Sequence, residues 1–119
     1  MFIRSKYSSK VEYVNGVKFH SKKEAKRYQE LKMLEAAGEI EGLELQPRYH
    51  LVPSFKYKGK SIRGIDYIAD FRYRDSKTSK VVIEDVKGFK TKDYILKKKM
   101  LLKKIVDNNL EVEFDFREV

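Results

Sequence analysis

Val81-Val82-Ile83 is an apolar run without alternation, and it leads directly into Glu84-Asp85-Val86-Lys87-Gly88. Successive strand residues face opposite sides, so a run apolar at every position belongs to a strand buried on both faces. The charged residues that follow inherit the same alternation. In a strand from Val81 to Lys87, Asp85 and Lys87 point one way, and Glu84 and Val86 the other. A second acid, Asp70, lies upstream in Ile68-Ala69-Asp70-Phe71 on a neighbouring strand candidate. An acid and an amine side by side at a strand end, with another acid close by, make a poor core. They make a good holder for a divalent cation against a phosphate.

The elements around this strand follow from local signals. Val11 to Phe19 reads as a hairpin, because Asn15-Gly16 tolerates the positive φ of a two-residue turn. Ser21 is an N-cap with Glu24 three residues on, the pattern of a capping box. Ala25, Tyr28, Leu31 and Leu34 supply the buried stripe of the helix that follows, and Gly38 stops it. Ile40 to Tyr73 turns to strands: Leu43 and Leu45 alternate before Gln46-Pro47, then Tyr49 and Leu51, then Phe55 and Tyr57 before a Lys58-Gly59-Lys60 turn. Ile62 to Tyr73 is the longest strand candidate, with Tyr67, Ala69, Phe71 and Tyr73 expected on one face. Thr91 caps a second helix running to about Asp107, with Ile95, Leu102, Ile105 and Val106 as its apolar stripe. Asn108-Asn109 ends it, and Leu110 to Phe116 alternates as a last strand. The expected fold is α/β: a mixed central sheet flanked by helices, in the order α-β-β-β-α-β.

The chain has 119 residues, enough for one domain with a modest core. Its 27 Lys and Arg against 18 Asp and Glu give a formal charge of +9, which favours an anionic partner such as nucleic acid. No apolar run approaches the roughly 20 residues of a membrane span. There is no cysteine, which excludes thiolate zinc sites and a disulfide framework and fits a reducing cytosol. Met1-Phe2-Ile3 is followed by charge rather than by a signal-peptide apolar region, so an intracellular, cytoplasmic protein is expected. Residues 1–10, basic and polar, read as a flexible arm able to touch a phosphate backbone, or as a frayed terminus.

Taken with Asp70, the Asp85-Val86-Lys87 triplet has the composition of a Mg²⁺ site. That ion takes one or two carboxylates and leaves other positions to water and substrate phosphate. A backbone carbonyl between Asp85 and Lys87, that of Val86, can add a ligand. Lys87 can orient water or neutralise charge growing on the phosphate. The bland alternative is a same-face ion pair on a strand. Two isolated histidines, His20 and His50, make no zinc pattern, and no Ser-His-Asp set or Gly-rich phosphate loop is present.

The ordered set Glu24, Asp70 and Asp85-Val86-Lys87 resembles the PD-(D/E)xK nuclease superfamily, and within it the small phage and prophage endonucleases that include Holliday junction resolvases. The matching stretches are Phe19-His20-Ser21-Lys22-Lys23-Glu24-Ala25, Leu45-Gln46-Pro47, Tyr67-Ile68-Ala69-Asp70-Phe71 and Glu84-Asp85-Val86-Lys87-Gly88, followed by Thr91, Tyr94 and Lys97. They extend from about residue 13 to 105. The proline of the superfamily's name is Ala69 here. Glu84 is a competing carboxylate, but alternation puts it opposite Lys87, so Asp85 is taken as the ligand. The resemblance implies a restriction-endonuclease-like core and a Mg²⁺-dependent DNA endonuclease, with Mn²⁺ able to substitute. Glu24, Asp70, Asp85 and Lys87 would be catalytic, with Glu24, Asp70, Asp85 and the Val86 carbonyl on the metal. Its substrate would be branched DNA, a four-way junction, in phage recombination within a bacterial host. Paired nicks would require a homodimer.

For Glu24 the residue reading is a helix cap, and for Gln46 a polar residue before a strand-edge proline. The resemblance makes the first a metal or water ligand and puts the second near the active centre. Eight lysines and one acid lie between Lys87 and Lys104. Of these Lys90, Lys92, Lys97, Lys98 and Lys104, with Thr91, read as a wall tracking the DNA backbone, or as a solvated helix face. Arg63, Arg72 and Arg74 can extend that surface. The 15 Phe and Tyr residues fall mostly on alternate strand positions, which points to core packing rather than base stacking. Two other functions fit the same residues: a non-catalytic basic nucleic-acid-binding module, or a nuclease of this superfamily on restriction-type or transposon-end DNA.

Overall fold

The computed structural model describes residues 11–119, and the proposed basic arm at 1–10 lies outside the described residues. The chain opens with the hairpin β1 (Glu12–Val14) and β2 (Val17–Phe19), whose turn residues Asn15 and Gly16 have φ of +51° and +79°. Helix α1 (Lys22–Ala36) follows. The Ser21 side chain accepts a hydrogen bond from the Glu24 N–H at 3.0 Å, and Ala25, Tyr28 and Leu31 are its buried residues. Gly38 leaves the helix at φ +78°, where the left-handed conformation favours glycine.

The central sheet has the order β10-β9-β8-β3, made of β3 (Ile40–Leu45), β8 (Phe71–Asp75), β9 (Val81–Asp85) and β10 (Phe114–Glu118). The β3–β8 and β8–β9 pairs are antiparallel and β9–β10 is parallel, so the sheet is mixed. Helix α2 (Lys92–Asp107), capped by the Thr91 side chain on the Tyr94 N–H, forms the crossover between the two parallel strands. With β4 to β7 set aside, α1, β3, β8, β9, α2 and β10 run in the order α-β-β-β-α-β.

All five residues of β9 are buried, and alternation divides them between two cores. Val82 joins Phe19, Ala25, Tyr28, Leu31, Phe71 and Tyr73 beneath α1. Ile83 joins Tyr67, Ala69, Tyr94, Leu101 and Ile105 beneath α2. The double apolar run therefore reflects a helix on each face. Truncating a side chain such as Leu31, fully buried, costs about 2–5 kcal/mol in packing of this kind.

Between β3 and β8 the chain makes β4 (Arg48–Val52), β5 (Phe55–Tyr57), β6 (Lys60–Ile62) and β7 (Ile65–Ile68). The expected long strand from Ile62 to Tyr73 is thus three pieces. It breaks first at Gly64, where an added Cβ would lie 2.3 Å from the Val52 carbonyl oxygen, so only glycine allows that approach. It breaks again at Ala69-Asp70, opposite Gln46-Pro47. There Gln46 N–H donates to the Asp70 carbonyl at 3.0 Å and Ala69 N–H to the Pro47 carbonyl at 3.1 Å. The paired bend carries the ladder from β3–β8 into β4–β7 and changes the side being covered. Tyr67 and Ala69 lie in the α2 core and Phe71 and Tyr73 in the α1 core, not on one common face.

Three further expectations are corrected. The buried stripe of α2 is Tyr94, Leu101 and Ile105, whereas Ile95, Leu102 and Val106 are exposed. The two stripes are offset by one residue and share Ile105. The tyrosine side wins because its ring packs against Tyr67 with centroids 6.2 Å apart. The last strand begins at Phe114, because Glu113 and Phe114 both donate to the Leu110 carbonyl and fold 110–113 into a turn. Finally, Phe55 and Tyr57 do not pack in the core: they are 49% and 60% exposed. Among the described residues, no helix is long and apolar enough to cross a membrane.

Candidate active site

The site forms where β9 ends, the paired bend turns and α1 begins. Asp85, the last residue of β9, is 1% exposed, yet neither carboxylate oxygen has a hydrogen-bond partner. Its nearest cation is Lys87, whose Nζ lies 3.7 Å from Oδ1. Burial pushes the Asp85 carboxyl up to about 6 although Lys87 pulls it down. A buried carboxylate so poorly hydrogen-bonded is costly, and the Lys87 ammonium and the Asp70 N–H offset only part of that cost.

Asp70 sits on the bend. Its Oδ2 accepts the Val86 N–H at 2.7 Å, and its own N–H donates to the Glu84 carbonyl at 3.1 Å. The bend is thus tied to the end of β9 from both sides. Burial raises the Asp70 carboxyl, outweighing the Val86 N–H and Lys87. Val86 itself is buried in the α1 core.

Glu24 arrives on the first turn of α1. Ser21 supplies its half of a capping box, but among the hydrogen bonds of the described residues the Ser21 N–H does not donate to the Glu24 carboxylate. Burial and then the Asp70 charge push Glu24 up to about 7, with Asp85 adding and Lys87 opposing. Burial raises all three carboxyls, and Glu24 is raised further by Asp70 and Asp85, while Lys87 opposes the shift at each of them.

Gln46 adopts φ +49° at the other half of the bend. With Glu24, Asp70, Phe19, Leu45 and Phe71 it lines a cavity of about 110 Å³. The structure therefore brings Glu24, Gln46 and Asp70 to one cavity, with Asp85 and Lys87 beside Asp70. Among the described residues no group of three or more acids and histidines is drawn together tightly enough to enclose a cation. A cation that takes one or two carboxylates does not require such a cage. The donor-free oxygens of Asp85 fit that demand.

Lys87 is held as well as placed. Its ammonium lies 4.3 Å from the Tyr94 ring centroid, its N–H donates to the Val119 carbonyl, and its carbonyl accepts from Lys23 Nζ at 3.1 Å. Tyr94 in turn donates its hydroxyl to Glu118 at 2.7 Å.

The lysines expected as a backbone wall are distributed unevenly. Lys90 and Lys98 both reach Glu118, at 3.4 and 2.9 Å, and Lys98, then the Tyr94 hydroxyl and least of all Lys90, hold the Glu118 carboxyl down at about 2. Lys97 lies 3.5 Å from Asp93, and Lys104 donates to the His50 carbonyl. Lys92 is exposed at the start of α2 and Thr91 is its cap. Arg72 is turned inward over the Tyr49 and Phe114 rings, so it does not extend the outer surface.

On the opposite face of β9, Glu84 is fully buried and fully satisfied. Arg27 grips it at 2.8 and 2.7 Å, and the Tyr73 hydroxyl donates to the same carboxylate. Sequence reasoning singles out neither Arg27 nor Tyr73 for this role. An acid inside a strand buried on both faces demands a cation, which is the signal that points to Arg27.

Residues 4–117 match the family model described as Protein of unknown function (DUF1064). The chain belongs to this family. Searches of curated proteins and of solved structures give no match. The family's description names no activity, so the functional reading rests on the geometry above.

Proposed function

We propose that this chain is a divalent-cation-dependent DNA endonuclease of the PD-(D/E)xK kind, with a restriction-endonuclease-like core. The observation that carries the reading is the Asp85 carboxylate, buried without a hydrogen-bond donor and facing Lys87, beside Asp70 and near Glu24. The α-β-β-β-α-β order and the charge of +9 support it.

Asp70, Asp85 and the Val86 carbonyl would hold the cation, with Glu24 over the same space. Mg²⁺, for which Mn²⁺ substitutes, supplies Lewis-acid charge for a phosphoryl oxygen and lowers the pKa of water when bound. Lys87, steadied by Asp85 and the Tyr94 ring, presents its ammonium where negative charge grows on the phosphate. Glu24 can take up a proton near neutral pH at its carboxylate. Gln46 and the lysines of α2 orient the DNA backbone. Selectivity for four-way junctions and a phage role in the bacterial cytoplasm, both from the resemblance, and action as a homodimer, which paired nicks require, complete the proposal.

The test is cleavage of a synthetic four-way junction, a linear duplex and single-stranded DNA, in Mg²⁺ and in EDTA, by wild type and Asp85→Ala. Paired nicks in the junction alone, lost with the cation or with Asp85, are expected. Cutting of every substrate keeps the nuclease and removes the junction role. Tight binding with no cutting in Mg²⁺ or Mn²⁺ leaves a non-catalytic basic module instead.

A further inference from the structure

The β5–β6 hairpin has no structural reason to look as it does. All six of its strand residues are exposed. Its register pairs Phe55 with Ile62, Lys56 with Ser61 and Tyr57 with Lys60, so Phe55, Tyr57 and Ile62 share one face. That face is bare: the three residues are 49, 60 and 39% exposed. A two-stranded hairpin with nothing packed on it is marginal in water. The turn is nonetheless well formed, with Lys58 and Gly59 at φ +48° and +79°, and the Lys58 ammonium lies 5.4 Å from the Tyr57 ring centroid.

Charge indicates what covers the bare face. Residues 53–65 include Lys56, Lys58, Lys60 and Arg63 and contain no acid. At the hairpin's foot a groove of about 480 Å³ is lined by Arg48, His50, Arg63, Asp66 and Lys97 among others. Asp66 is matched by Arg48 at 2.7 Å and His50 at 2.8 Å, and Lys97, 3.5 Å from the exposed Asp93, lines the groove together with Arg63. Lys97 lies one turn beyond Tyr94, whose ring underlies Lys87. Basic residues therefore recur from Lys87 at the candidate active site, through Lys97 on α2 and Arg63 in the groove, to a prong with two exposed aromatic rings, Lys58 lying over that of Tyr57.

We propose that the β5–β6 hairpin is a nucleic-acid-contacting prong: Phe55 and Tyr57 stack on unpaired bases while Lys56, Lys60 and Arg63 hold the flanking phosphates. Aromatic stacking is tolerant of sequence and requires a base free of its neighbours. The substrate class is thus DNA with unpaired or opened bases near the cleavage point. This rests on the nuclease reading for the kind of polymer, but not on the cation site.

Binding is measured by fluorescence anisotropy in EDTA, with a labelled duplex, the same duplex with a central unpaired bubble, and a four-way junction. Phe55→Ala with Tyr57→Ala is expected to weaken binding to the bubble by roughly 10-fold or more and to leave the duplex within about twofold. Lys56→Ala with Lys60→Ala is expected to weaken all three, with a salt dependence shallower by about 0.7–0.9 per lysine. Both variants change exposed residues, and an unchanged thermal melt by circular dichroism confirms that each folds. Wild type that binds none of the DNAs, or variants that bind all of them as wild type does, would overturn the proposal. So would a dimer that dissociates in the aromatic variant with DNA binding intact, which assigns the face to a second copy. Hairpin-dependent binding without cleavage in Mg²⁺ upholds the prong and removes the nuclease. Cleavage with hairpin-independent binding does the reverse.

Discussion

Glu84 and Asp85 are neighbours in one strand, equally buried, and treated in opposite ways. Glu84 faces α1 and meets a two-pronged guanidinium and a tyrosine hydroxyl. Asp85 faces the other side and has no partner within hydrogen-bond distance, its ammonium neighbour Lys87 lying 3.7 Å away. Taking a carboxylate out of water costs several kcal/mol unless the interior replaces what water supplied. On the Glu84 face the replacement is complete, and the group serves the fold by joining α1 to β9. On the Asp85 face it is incomplete, and the missing positive charge is what a bound cation would bring. One element thus carries a carboxylate satisfied within the fold and one left without hydrogen bonds, and the face that each occupies makes the difference.

The largest expected effect separates the two faces by activity. Asp85→Ala should lower the nicking rate in Mg²⁺ by roughly 10²–10³-fold or more while the thermal melt holds or improves. A loss of fold together with activity would make Asp85 structural, like its neighbour. Next comes the Glu84 side. Arg27→Met leaves a buried charge alone and should lower unfolding free energy by about 3–5 kcal/mol in urea titration. Adding Glu84→Leu should restore most of that loss, as expected when both partners of a buried pair are replaced together. No recovery would mean that Arg27 acts through some contact other than Glu84.

A smaller effect has the opposite sign. Asp85 has a folded pKa raised to about 6, so its ionisation opposes folding. Any stability tied to its neutral form is present below its unfolded pKa, near 4, and is lost as pH rises through about 6. Asp85→Asn should therefore raise Tm at pH 8, by about 1–3 kcal/mol of stability, and the gain should fade towards pH 4. In wild type, Mg²⁺ should raise Tm at pH 8 and do nothing to the Asn variant. A gain independent of pH would show that desolvation of this carboxylate is not its source. The mildest change is Ser21→Ala, which removes the cap under the turn that carries Glu24. It should cost about 1 kcal/mol in a denaturant titration, and an effect near zero would show that the α1 packing alone holds that turn.

Part of this arrangement is legible in the order of residues alone. The two caps, Ser21 and Thr91, the Asn15-Gly16 turn and the Gly38 stop are local preferences, and each acts where its residue type predicts. The strand covered on both sides follows from alternation alone, but it ends at Asp85 rather than Lys87, and Lys87 comes beside Asp85 from just beyond it, its N–H held by the Val119 carbonyl. The Ile62 to Tyr73 strand misleads for a physical reason. Alternation continues through its apolar residues, but the breaks come from backbone approach at Gly64 and from hydrogen bonds to the Gln46-Pro47 segment some twenty residues away. The α2 stripe misleads because two apolar seams one residue apart satisfy the same helical period, and only packing against Tyr67 selects between them.

What the sequence by itself determined is the turns, the helix caps, the order of the helices and main strands, and the strand buried on both faces, because these depend on bonds and contacts within a few residues. Tertiary structure alone decided that Glu24, Gln46 and Asp70 meet at one cavity, that Arg27 satisfies Glu84 while the Asp85 carboxylate accepts no hydrogen bond, and that Phe55 and Tyr57 stay exposed. Those outcomes depend on how water is excluded by segments far apart in the chain. No local propensity carries that information.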